Sequence, residues 1–66
     1  MGVLIEISMI HMCRIFYERN EGMGPKSFFT AYVQLPNNDQ FIIDDWILPR
    51  LKKRLLDVLE RVHNGK

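Results

Sequence analysis

Few side chains in this chain are of the kinds that carry chemistry, and their spacing can be weighed directly. His11-x-Cys13 sets an imidazole and a thiol two residues apart, which on an extended strand puts both on one face. Zinc is held by four such ligands, or by three and a water. Here the set has to be completed by His63 and a distant aspartate, and no spacing brings those together. The expectation is a core cysteine beside a hydrogen-bonded histidine, with no metal and no cofactor. Cys13, His63 and Asp44 can also be cast as nucleophile, base and orienting group. No strand-to-helix elbow and no glycine-rich turn flanks Cys13, so nothing supplies the oxyanion hole that such chemistry needs.

Asp44 and Asp45 are paired carboxylates, the material of acid–base catalysis. Adjacent in sequence and just ahead of a helical pattern, they read as a helix cap, where carboxylates accept free amide hydrogens and complement the dipole. Gly22-Met23-Gly24-Pro25-Lys26-Ser27 resembles a phosphate loop only superficially. Pro25 removes an amide that would face the phosphate, and a strand pattern follows where a helix is required. A flexible hairpin loop is the expectation. Arg50, Lys53, Arg54 and Arg61 form a basic flank that could meet nucleic acid or an acidic partner. Asp57, set between Arg54 and Arg61 at helical spacing, is expected to neutralise part of it. No catalytic residues are assigned, and the chain reads as non-enzymatic.

The elements that position these groups follow from periodicity. At about 100° per residue, Ile47, Leu48, Leu51, Leu55, Val58, Leu59 and Val62 share one face of an amphipathic helix. It should begin at Pro49, after a lead-in turn at residues 45–48, and stop at Asn64-Gly65. From Val3 to Tyr17 the chain is rich in Ile and free of Gly and Pro, a strand signal. As one strand it would reach about 50 Å, so either a bulge or bend near residues 11–13 breaks it or one end projects. Residues 18–26 read as a loop, and residues 27–35 as a second strand. Pro36-Asn37-Asn38-Asp39 reads as a tight turn, and residues 40–43 as a short third strand.

The fold class expected is therefore α+β: a three-stranded antiparallel meander (β-β-β-α) with one C-terminal amphipathic helix on one face, in a single domain spanning residues 1–66. Val3, Ile5, Ile7, Met9, Phe29, Ala31, Val33 and Leu35 are the expected partners of the helix. Ile10, Met12, Phe16, Phe28 and Tyr32 are then left on a face that the chain cannot cover. Trp46 lies off the helix's apolar face and is a candidate anchor for a partner.

Composition narrows the function. Apolar residues make up 47% of the chain, too many for a disordered segment. Net charge is +1, so there is no global footprint for nucleic acid or acidic lipid. A lone cysteine excludes an internal disulfide and fits a reducing compartment. The apolar start is interrupted by Glu6, lacks a basic lead and is too short to span a membrane, so a cytoplasmic protein is expected. A domain this small gains support by association. The reading is a small protein–protein interaction module, an adaptor or inhibitor that binds a larger protein, of a size that suits mobile-element or viral inhibitors, and a homodimer. Its contacts would be Ile10, Met12, Phe16, Phe28, Tyr32 and Trp46. The alternative is a nucleic-acid-binding regulator using Arg50, Lys53, Arg54 and Arg61.

Overall fold

The computed structural model describes residues 2–21 and 27–65. Four strands, not three, precede the helix: β1 (Gly2–Ile10), β2 (Cys13–Glu21), β3 (Ser27–Gln34), β4 (Gln40–Asp45) and α1 (Leu48–Asn64). The sheet order is β1-β2-β3-β4, with every neighbouring pair antiparallel. The α+β class, the antiparallel meander and the covering helix agree with the sequence. The strand number does not.

The correction lies at His11 and Met12. Both adopt positive φ, 49° and 67°, as the two central residues of a type I′ hairpin turn must. Ile10 pairs with Cys13 across it, so the stretch from Val3 to Tyr17 is a hairpin. Such turns are normally marked by Asn-Gly or Gly-Gly, and His-Met carries no such mark. A two-residue turn also exchanges the parity of the faces. Even positions of β1 now share a face with odd positions of β2: Ile10 with Cys13, Ser8 with Ile15, Glu6 with Tyr17. Ile7 and Met9, expected under the helix, stand on the opposite face. A bulge between Leu4 and Glu6 adds one residue to β1. Glu18 to Glu21, expected as loop, continue β2, and the phosphate-loop look-alike at residues 22–26 lies outside the described residues.

The core lies between α1 and one face of the sheet. Cys13, Ile15 and Tyr17 of β2, Ala31 and Val33 of β3, and Leu51, Leu55 and Leu59 of α1 are buried together. Each fully buried leucine contributes ~1.5–3 kcal/mol. Phe29, Leu35, Phe41, Ile43 and Leu48 close the cluster's rim, and Ile10 is the one residue of β1 that joins it. Val3 and Ile5 remain exposed, because the helix lies against β3 and β4 and leaves β1 beyond its cover. Val62, assigned to the helix's apolar face, is half exposed in the last turn.

The turn after β3 follows its sequence chemistry. Leu35 donates to the Asp39 carbonyl at 2.8 Å and Asn38 to the Leu35 carbonyl at 3.0 Å. Asn38 takes φ 74°, a conformation Asn tolerates. At the β1–β2 turn the Met12 side chain is 76% exposed and gains nothing that offsets its left-handed backbone. Met12→Gly should therefore raise stability in urea denaturation by about 0.5–1 kcal/mol. A loss of stability would contradict this account of the hairpin.

Candidate functional site

The sheet has a second face, and no element of the described chain covers it. Strand pairing aligns Ile7 with Phe16, Phe16 with Tyr32 and Tyr32 with Ile42. Side chains alternate along each strand, so these four form one transverse apolar row across all four strands. Ile7 is 57% exposed, Tyr32 38% and Ile42 63%, while Phe16 is half-buried between its neighbours. Met9, 60% exposed, stands beside the row on β1. Phe16, Tyr32 and Ile42 line a shallow depression of about 130 Å³.

The rows on either side are polar from β2 to β4 and apolar at β1. One runs Met9, Arg14, Gln34, Gln40 and the other Leu4, Glu18, Thr30, Asp44. Tyr32 stands diagonally across from Glu18; loss of hydration, then the neighbouring carboxylate, raise the phenol above its usual value. Farther along, Asn20 Nδ2 donates to Thr30 Oγ1 at 2.8 Å. At this end Phe28 and Trp46 meet edge to face, with centroids 5.7 Å apart, and Trp46 is exposed.

Three of the residues expected on this face, Phe16, Phe28 and Tyr32, are on it. Ile10 is not: the parity exchange turns it into the core rim. Met12 sits in the turn. Ile7, Met9 and Ile42 were not expected there. For Ile42, the alternation of Phe41 and Ile43 was the available signal, since it sets the residue between them on the opposite face. For Ile7 and Met9 the signal was lost with the unmarked hairpin.

The basic flank is largely committed to structure. Asp45 is buried at the end of β4. Arg50 Nε lies 2.9 Å from both its oxygens and Arg50 Nη2 donates to Oδ1 at 2.6 Å. Arg54 Nη1 donates to Oδ2 at 2.8 Å and to the Asp44 carbonyl at 3.0 Å, so it turns to Asp45 and not to Asp57. The Ile47 amide completes the set at 3.2 Å. Ile47 is the helix N-cap and makes no side-chain cap bond. Asp45 thus acts one step earlier than the expected cap, tying the strand end to the first two turns of α1. Lys52 bridges to Glu6 at 2.7 Å and lies 5.3 Å from the Tyr17 ring centroid. Lys53 and Arg61 remain exposed.

The structure does gather His11, Cys13 and His63 around one cavity of about 170 Å³. The two imidazoles stack in parallel, 3.9 Å between centroids and 10° between planes, and His11 Nε2 is taken by Glu60 Oε2 at 2.8 Å. Lone pairs so disposed do not converge on one ion. Among the described residues no three His, Cys, Asp or Glu side chains are grouped to hold a metal. Burial pushes the Cys13 thiol up, opposite to an activated nucleophile. Asp44, on the other sheet face by its pairing with Thr30, is not brought to it.

The Asp45 clasp carries a pH dependence. The two-point bond from Arg50, then Arg54 and the Ile47 amide, outweigh burial and hold the carboxyl well below the usual range. A carboxylate whose folded value is depressed contributes stability above its unfolded value and loses it as pH falls toward the folded one. Asp45→Asn should therefore lower the thermal midpoint at neutral pH. The gap from the unaltered protein should narrow as pH falls below about 4. A gap that does not change with pH would contradict this role. No family model, curated protein or solved structure matches the chain, and the functional reading rests on the geometry of the sheet face.

Proposed function

We propose that this chain is a small non-enzymatic protein–protein interaction module, an adaptor or inhibitor that binds and modulates a larger protein. Its working surface is the uncovered sheet face. The observation that carries this reading is the transverse row Ile7–Phe16–Tyr32–Ile42. Large apolar side chains contiguous across four strands and bordered by polar rows have the layout of an interface, with an apolar centre and a polar rim. Trp46 and Phe28 extend the face at one end and supply the aromatic anchors that concentrate binding energy. The outer edge of β1, nine residues long, offers a further place for strand addition. A cytoplasmic setting belongs to the same reading and suits the free, buried Cys13.

Nucleic-acid binding through α1 is the competing reading. Arg50 and Arg54, though exposed, are both held by Asp45, which leaves Lys53 and Arg61 as the cations of that flank outside the clasp. A stripe of this kind competes poorly for phosphates.

A photo-crosslinking residue at Ile42, with a control at Asp57 on the outer side of α1, tests the reading in the cells that express the protein. The captured protein is then purified and its binding re-measured. Tyr32→Ser and Ile42→Ser should each weaken it about tenfold or more. Lys53→Glu with Arg61→Glu should leave it within about twofold. The reverse pattern, with steeply salt-dependent binding to nucleic acid, would replace this reading with the competing one.

A further inference from the structure

The sheet face has a self-complementary charge pattern. Resting on the interaction reading above, we propose that in the free protein this face is covered by a second copy of the same chain, with the two-fold axis running along the apolar row. The row separates charges of opposite sign. Arg14 stands on one side of Phe16 in β2, and Glu18 on the other. Asp44 adds a second acidic group on the Glu18 side. A two-fold axis along the row lays one sheet on the other and reverses the strand direction. Each row residue then meets its own counterpart. Arg14 of one copy faces Glu18 of the other, and Glu18 faces Arg14, so two ion pairs form reciprocally, as an isologous contact requires. An axis along the strands would instead set Arg14 against Gln34 and leave Glu18 without an opposite charge.

The dimensions suffice. Four strands spaced ~4.8 Å apart and about eight residues long at ~3.3 Å give a face of about 500 Å² in projection. Two such faces approach the ~1,200 Å² lower bound of a specific interface once side-chain relief is added. The product is a sheet-on-sheet sandwich flanked by a helix on each outer side, a layer arrangement that buries the second sheet face in the ordinary way. It also supplies the association that a single 66-residue core lacks. A larger partner that takes the same row then competes with the second copy, so the module's availability depends on its own concentration.

Sedimentation equilibrium of the full chain, from micromolar to millimolar, tests this. The expected species has twice the 7.9 kDa chain mass. Arg14→Glu and Glu18→Arg should each weaken the dimer about tenfold or more, and the double exchange should recover most of the loss because the pairs re-form in the opposite sense. Cysteine trapping in a Cys13→Ala background fixes the axis. Ile42→Cys should cross-link to itself, and mixing Ile7→Cys with Ile42→Cys protein should yield no disulfide between positions 7 and 42. A monomer throughout overturns the proposal but leaves the interaction reading intact wherever position 42 captures a different protein. A dimer in which Ile7→Cys joins Ile42→Cys, or in which the charge exchange gives no recovery, also overturns it. A self-linked dimer with no other protein captured at position 42 upholds the second copy and removes the larger partner.

Discussion

One helix covers one face of a sheet, and the rest of this molecule follows from that constraint. Seventeen residues of α1 span about 25 Å, enough to close the β2–β4 side and bury Leu51, Leu55 and Leu59 against it. The chain has no further element among its described residues for the other side. Most of the apolar side chains that the strands direct there stay in water. Ile7, Met9, Tyr32 and Ile42 remain exposed for that reason, and not because they lie in loops or at frayed ends.

The charged residues serve this arrangement more than they advertise a function. Asp45 draws Arg50 and Arg54 onto the end of β4 and so fixes where the helix begins. Its own N-cap residue, Ile47, offers no side-chain acceptor. Lys52 reaches Glu6 on the exposed edge strand, the one ion pair between α1 and β1. His11, Glu60 and His63 hold the β1–β2 turn to the last turns of the helix. Each contact ties the helix to a different part of the sheet. Together they anchor the helix through the charged and titratable side chains of the chain. These contacts leave out the apolar row, the two charges that flank it in β2, and the Phe28–Trp46 pair.

Much of this was legible in the sequence, and the illegible part has two origins. The helix, its leucine face, the β3 strand and the Asn-rich turn all carry strong local signals, and each is present. So is the idea of an uncovered face bearing Phe16, Phe28 and Tyr32. The β1–β2 turn carries no glycine or asparagine, because His11 and Met12 accept left-handed backbone without the residues that usually mark it. A break near residues 11–13 is one of the two readings the sequence offers, but a single strand carried through it keeps its parity, whereas the two-residue hairpin exchanges the parity of β1. Ile7 and Met9 were thereby placed under the helix, and Ile10 outside it. The pairing of Arg50 and Arg54 with Asp45 was equally hidden, since Asp57 offers the closer helical spacing. It depends on where β4 ends relative to the helix, which is a tertiary fact.

The central claim is that the row Ile7–Phe16–Tyr32–Ile42 is a covered interface in the working protein. Side-chain methyl relaxation by a soluble paramagnetic agent tests it directly, with no substitution and no knowledge of the partner. The isolated fold leaves Ile7 and Ile42 as open to solvent as Val62 on the helix. In the assembled protein the Ile7 and Ile42 methyls should be shielded and the Val62 methyls relaxed. Equal relaxation at all three positions, in the free protein and in the presence of its captured partner, would contradict the account.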